Sequence, residues 1–214
     1  MLFRSLLQPD GTPDPTYVRS TGSIIAFGIR FPTLWAQTDG KLLCILGMFD
    51  TNSYTYYRLV RLNLDGSDDA TFSPYVLGYN SSWIAGLQPD GGILVQIVAP
   101  IGNLPSNLIR FRPDGTLDRS FQPALPFIQG ALAIEPDGGF TAFARPTPNP
   151  MEFTDYRPKR FTTTGALDPS FNAVITSSSG DGGVLQQSDG KVIVWSQDSM
   201  TYRDADNHFT ASTV

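Results

Sequence analysis

The sequence carries little with which to do chemistry. It holds one histidine, His208, and one cysteine, Cys44. Ser/His/Asp and Cys/His catalysis both need an imidazole held firmly beside the nucleophile, and a lone histidine near a terminus argues against either. A zinc site built from several His or Cys ligands is excluded by count. One cysteine also excludes an intrachain disulfide framework. Cys44 lies inside the apolar run Leu42 to Leu46 and reads as a small buried hydrophobe.

Charge is scarce as well, at 16% of residues, with a net charge of −5. The 15 Lys and Arg are dispersed, with no cluster of four. Nucleic acid and anionic membrane surfaces need a basic face, so neither is expected as a partner. No run of 18 apolar residues exists, so no membrane span is expected. The opening stretch Met1 to Leu7 does not read as a signal peptide, because its apolar part is short and Pro9-Asp10-Gly11 follows at once.

What is abundant is turn-forming residue types, with 20 Gly and 17 Pro among 214 residues. They interrupt nearly every window of a dozen residues, which disfavours helices and leaves short strands. Two motifs alternate. In the first, an Asp-Gly turn precedes an apolar run: Gln37-Thr38-Asp39-Gly40, Gln88-Pro89-Asp90-Gly91, Glu135-Pro136-Asp137-Gly138 and Gln187-Ser188-Asp189-Gly190. These glycines are 51, 47 and 52 residues apart. In the second, a Gly turn is followed by an acidic and then an aromatic residue, in Asp10 to Tyr17, Asp65 to Phe72, Asp114 to Phe121 and Thr164 to Phe171. The glycines at 11, 66, 115 and 165 are 55, 49 and 50 residues apart. A shared period of this size marks repeat units, with propeller blades prominent among them.

Asp-Gly between apolar runs is a strong hairpin signal. The clearest unit reads as four strands: Ser82 to Gln88, Gly92 to Val98, Asn107 to Arg112 and Leu117 to Ala124. The second strand is apolar almost throughout, as Ile93-Leu94-Val95-Gln96-Ile97 shows. Such a run suits a strand covered on both faces. The third strand carries Arg61, Arg110 or Arg160, each four residues before the turn Asp or Thr. Each reads as a structural arginine tied to the turn carboxylate or to a backbone carbonyl. Between strands two and three the units differ, over Met48 to Tyr57, Ala99 to Ser106, Arg145 to Lys159 and Gln197 to His208. Variable loops on a regular scaffold are the places where binding usually sits.

Three sets of side chains are candidates for chemistry. Asn63, Asp65, Ser67, Asp68 and Asp69 place oxygens near one another as calcium loops do, but the equivalent turns at Asp114 and Thr164 lack matching ligands. They read as turn-formers and no metal site is assigned. Glu152 and Asp155, in the proline-rich third loop, lie outside the repeated turns and could serve glycoside chemistry. Tyr54, Tyr56 and Tyr57 in the first variable loop form a candidate ligand platform, with Tyr75, Tyr79 and Trp83 nearby in sequence. Exposed aromatics stack on sugars or anchor protein partners, whereas buried ones fill the space between sheets.

Gln88 to Val95 with Arg110 to Phe121 resembles the delta-60 repeat, and three more degenerate copies extend the resemblance over most of the chain. Thr164 in place of the turn aspartate, Asp68 in place of leucine and Tyr17 in place of phenylalanine depart from the pattern. The resemblance implies a β-propeller domain of unknown function from bacterial surface and secreted proteins, and hence an extracellular or cell-surface location. It supplies no catalytic residues.

The expectation is therefore an all-β propeller of four-stranded antiparallel blades, in about four repeats. Residues 1–20 would end a preceding blade, 21–75, 76–124 and 125–174 would be blades, and 175–214 an incomplete one, all in one propeller domain. His208 to Val214 is read as a third strand. This favours part of a longer array, with a self-closed ring or an oligomer of half-rings as alternatives. The expected function is a non-enzymatic module for protein or glycan recognition or display, without cofactor, and prone to self-association through open blade ends. The alternative is a polysaccharide hydrolase or lyase using carboxylates from the variable loops.

Overall fold

The computed structural model describes residues 7–16, 34–49, 55–78, 82–97, 106–145, 156–173, 182–196, 200–203 and 209–212. Every regular element among them is a strand. The first unit is a four-stranded antiparallel sheet in sequential order: β1 (Leu34–Ala36), β2 (Leu42–Phe49), β3 (Thr55–Leu62) and β4 (Tyr75–Gly78). The second has three strands, β5 (Ser82–Leu87), β6 (Ile93–Ile97) and β7 (Leu108–Phe111). The third comprises β8 (Phe127–Ile134), β9 (Phe140–Arg145) and β10 (Arg157–Phe161). The fourth comprises β11 (Gly182–Gln186), β12 (Val192–Ser196), β13 (Met200–Arg203) and β14 (Phe209–Ser212). β8 and β11, each the first strand of its unit, lie side by side in parallel at Ala131 and Gly183, so the last two units share one seven-stranded sheet.

Sequence spacing explains the hairpins. Gly40, Gly91, Gly138 and Gly190 all adopt positive φ, between 83° and 88°. That backbone conformation costs glycine nothing and other residues a Cβ clash. The preceding aspartate helps close the turn: Asp90 Oδ1 accepts from Gly92 N at 2.9 Å and Asp137 Oδ1 from Gly139 N at 2.8 Å.

Alternation along the second strand of each unit decides how the sheets pack. Ile93, Val95 and Ile97 face the first sheet and join Leu43, Ile45, Leu59 and Leu77 in one buried cluster. Leu94 points the other way and joins Ile128, Phe140, Ala142 and Phe161 of the third unit. Phe143 in turn meets Val184 and Val194 of the fourth. One strand thus supplies two cores, because successive side chains leave opposite faces. The apolar second strands β6 and β9 are covered on both faces, as composition predicts, whereas β12 leaves Trp195 exposed. Tyr75 meets Phe111 edge-on at 4.9 Å, and Phe140 stacks on Phe161 at 4.8 Å. Full burial of a ring such as Phe111, Phe140 or Phe161 contributes about 1.5–3 kcal/mol.

Three expectations need correction. The fourth strand over Leu117 to Ala124 does not form. There the second motif makes two successive turns, and its backbone pairs with the third strand through the isolated bridge Phe111–Leu117. Four-stranded sheets therefore occur in the first and fourth units, whereas the second and third have three strands each among the described residues. Residues 117–124 are not a strand because of the doubled Asx turn, in which Asp114 and Asp118 each draw the backbone back two residues later, to Thr116 and Ser120; the first unit makes the same turn and forms its fourth strand after it, at Tyr75–Gly78. Second, the fourth variable loop, expected from Gln197 to His208, contains strand β13, and Phe209–Ser212 is the fourth strand of its sheet rather than the third. Third, Pro158, assigned to the third loop, lies in β10 opposite Phe143. β10 is the edge of its sheet, where a missing N–H costs no ladder bond.

Candidate functional site

The second motif builds the most conspicuous polar cluster. Asp69 Oδ1 accepts from Thr71 N at 2.9 Å and Thr71 Oγ1 at 2.7 Å, closing the turn. Its Oδ2 accepts from Arg61 Nε at 2.6 Å and Lys41 Nζ at 2.9 Å. Arg61 also donates to the Pro113 carbonyl of the next unit at 2.8 Å and lies over the Phe72 ring at 4.9 Å. The same arrangement recurs with variations. Arg110 bonds Asp118 at 2.5 Å, Gln88 Oε1 at 2.6 Å and also Asp90. Arg160 bonds Glu135 at 2.7 Å, stands 4.0 Å from Asp168 and covers Phe171. The repeated arginine is thus tied to a carboxylate and, in the first unit, to a backbone carbonyl. Its partners are the acid before the aromatic residue (Asp69, Asp118 and, at 4.0 Å, Asp168) and, in the second and third units, an acid of the first motif (Asp90, Glu135), rather than the turn residue four positions on.

These carboxylates are held as anions. The Lys41 ammonium, with Thr71 and Arg61, draws the Asp69 carboxyl far below the ordinary carboxylate value. For Asp118 and Asp90, burial pushes upward but is outweighed. Ser120 and Arg110 lower Asp118, and the Gly92 N–H and Arg110 lower Asp90. Asp65, Asp114 and Asp168 are lowered by hydrogen bonds from the hydroxyl and N–H two residues on. A general acid in glycoside chemistry needs its proton near neutral pH. A carboxyl drawn downward does not suit that acid role, and Asp69, Asp90 and Asp118 are engaged as turn anchors and ion-pair partners.

The second motif also staples neighbouring units. Ser73 N donates to the Asp114 carbonyl at 2.7 Å, Gln122 N to Thr164 O at 3.2 Å and Ala124 N to Gly165 O at 2.9 Å. Gly115, at φ +85°, sits so close beneath Phe72 and the Ser73 carbonyl that a Cβ would overlap both. The Gln88 side chain crosses the junction between the second and third units, from Nε2 to the Gly138 carbonyl at 2.5 Å.

The sequence candidates distribute unevenly. The Asn63–Asp69 oxygens are engaged with one another. Asp65 Oδ1 accepts from Ser67 N and Oγ, and Asn63 Nδ2 donates to Ser67 Oγ at 3.0 Å. No group of three His, Cys, Asp or Glu suited to a metal occurs among the described residues. Tyr56 and Tyr57 lie in strand β3 rather than in a loop, because β3 begins at Thr55. Both are half-buried; Tyr57 packs against the cluster between the first and second sheets, and Tyr56 stands opposite Met48. Tyr75 serves inter-sheet packing, and Trp83 is half-buried in β5. Tyr54, Tyr79, Glu152, Asp155 and His208 lie outside the described residues. Cys44 is buried on the face of β2 away from the second sheet, with Leu46, Val60 and Leu62.

Several buried polar groups near the variable-loop edge escaped the sequence reading. Asn107 exchanges two bonds with the Ile128 backbone, at 2.8 and 2.9 Å, and Gln96 also donates to the Ile128 carbonyl. Arg145, at the end of β9, lies between the rings of Phe127 and Tyr156 at 4.9 and 5.0 Å. The recurring Gln or Glu of the first motif was a usable signal for Gln88 and Glu135. Nothing in the repeat marks Asn107, Gln96 or Arg145.

Antiparallel sheets stacked face to face in chain order, with the first strands of two units side by side, are the arrangement of a β-propeller. Residues 37–72 and 102–121 match the family model described as Domain of unknown function (DUF5122) beta-propeller. The matched segments include both motifs of the first unit and the second motif of the next. They support a β-propeller repeat family for this chain. No curated protein is significantly similar to it. No helix among the described residues is long and apolar enough to cross a membrane.

Proposed function

We propose that this chain is a non-enzymatic β-propeller repeat module of the delta-60 type, for protein or glycan recognition or display on a bacterial surface or secreted protein. The observation that carries this reading is the employment of the repeated carboxylates. Asp69, Asp90 and Asp118 are each paired with an arginine, and each is lowered below the ordinary carboxylate value. The conspicuous acids belong to the scaffold, which leaves recognition to the parts that do not repeat. The first contact surface is sought at Tyr54, Tyr56 and Tyr57, of which Tyr56 and Tyr57 lie on opposite faces of β3, Tyr57 on the one packed toward the second sheet. Tyr56 is half-buried and adjoins the variable segment that precedes the strand. A half-buried phenol offers a rigid, amphipathic face at small entropic cost. The extracellular placement rests on the family resemblance.

The test is a glycan array with a parallel pulldown from the surface fraction of the source cells. Binding is expected for the intact chain and is expected to fall when Tyr54 and Tyr56 are replaced by alanine. Tyr57 is tested by Tyr57→Phe, which keeps the packing. Binding that survives these changes removes the platform. Hydrolysis or elimination of a polysaccharide, abolished by Glu152→Gln or Asp155→Asn, would replace the reading with the enzymatic one.

A further inference from the structure

One buried arginine is not matched by an acid. Arg61, Arg110 and Arg160 each hold a carboxylate, at 2.6, 2.5 and 2.7 Å. Arg145 is 9% exposed and enters none of the ion pairs among the described residues. Among those residues its buried Nε has no hydrogen-bond partner. Its guanidinium lies between two rings instead, 4.9 Å from Phe127 and 5.0 Å from Tyr156. Rings attract a cation through their faces, but they supply neither a counter-charge nor acceptors in the guanidinium plane. A buried charge ordinarily has both. Arg58 Nε is likewise unpartnered among the described residues, but Arg58 is only half-buried.

The third sheet is antiparallel, so β8 starts, β9 ends and β10 starts at one edge. Arg145 is the last residue of β9 and stands opposite Phe127, and Tyr156 immediately precedes β10. The variable segment leaves from this edge, and the Asp-Gly turn lies at the other. Side chains alternate along β9, so Arg145 shares the face of Phe143, which meets Val184 and Val194 of the fourth unit. The guanidinium therefore stands at the variable-loop end of the junction between the third and fourth units. Seven residues after the Asp-Gly glycine, where this unit has Arg145, the others have Gly47, Val98 and Gln197. The repeat itself does not require an arginine there. Phe127 is only half-buried, so one wall of the site reaches solvent.

We propose that Arg145 binds an oxyanion from outside the chain at this edge, either the carboxylate of an acidic sugar or a phosphate. A guanidinium carries paired N–H donors in one plane, a fork that matches two oxygens of either group. Phe127 and Tyr156 hold the guanidinium from both sides and fix the direction of the fork. The anion supplies the counter-charge that the described residues do not. The site belongs to the third unit and uses none of the β3 tyrosines, so it stands whether or not those bind.

Isothermal titration of the whole chain with glucuronate, with inorganic phosphate and with neutral glucose tests this. Glucuronate or phosphate is expected to bind and glucose is not, and the anion that binds tells an acidic sugar from a phosphate. Arg145→Met keeps an unbranched chain between the rings and removes the charge. It is expected to weaken anion binding at least about tenfold, the effect of one lost charged hydrogen bond. In anion-free buffer it is expected to melt at or above the parent temperature, because an uncompensated buried charge is gone. Arg145→Lys keeps the charge without the planar fork, and is expected to lose most of the binding while its melt stays close to the parent's. Failure of both anions to bind overturns the proposal. So does anion binding that the two variants leave unchanged.

Discussion

Arg61 and Asp69 stand 2.6 Å apart, and through them three parts of the molecule meet. Asp69 closes its own turn with one oxygen and holds Arg61 with the other, while Arg61 reaches the Pro113 carbonyl of the next unit. Both side chains are nearly buried, at 11% and 4% exposure. Asp69→Asn leaves Arg61 and Lys41 without a counter-charge and is expected to destabilise the chain by about 2–3 kcal/mol, the range for charged hydrogen bonds. Asp65→Asn, at an exposed turn with no cation on its carboxylate, is expected to cost clearly less. Urea unfolding of the two variants checks the order.

Stability should fall in acid. Asp69, Asp90 and Asp118 all have folded values below the unfolded reference of 3.8. A group lowered on folding contributes stability that is complete above its unfolded value and is lost as pH drops through the folded one. The contribution should therefore be full above about pH 5 and decline below pH 4. Thermal melts between pH 7 and pH 2 check this, and Asp69→Asn should flatten the decline.

Gly115 is required for two reasons at once, its φ of +85° and the Phe72 and Ser73 atoms above it. Gly115→Ala should cost about 2 kcal/mol or more, as left-handed strain and overlap combine. Gly11→Ala, with a φ of +84° and no atom of the described residues within 4 Å of its Cβ position, should cost only the strain. A melting-temperature difference between the two isolates the contribution of the junction.

Phe140 is fully buried, stacked on Phe161 and in contact with Leu94 and Ile128 across the junction between the second and third units. Phe140→Ala should cost about 3–5 kcal/mol, the usual loss when a large core ring is removed. Because that cavity opens between sheets, hydrogen exchange should rise on both β6 and β9. Faster exchange on β9 alone would show that the units unfold separately.

What the sequence determined by itself was the local chemistry. Asp-Gly at a period near 50 specified the hairpins, because positive φ and an accepting carboxylate are properties of a few neighbouring residues. The apolar run Ile93 to Ile97 likewise announced a strand covered twice. The fourth strand over Leu117 to Ala124 was misread because alternating polarity does not show that Asp114 and Asp118 bend the chain twice. Tertiary structure alone decided which carboxylate each arginine holds, since Arg61 and Asp69 meet across a turn and Arg61 and Pro113 across a junction. It also decided that Tyr57 faces a neighbouring sheet, and that Asn107 and Gln96 pair with Ile128. Apart from Arg61 and Asp69, eight positions apart, these contacts join residues about 20 to 50 positions apart, where loop closure rather than local preference sets what meets what.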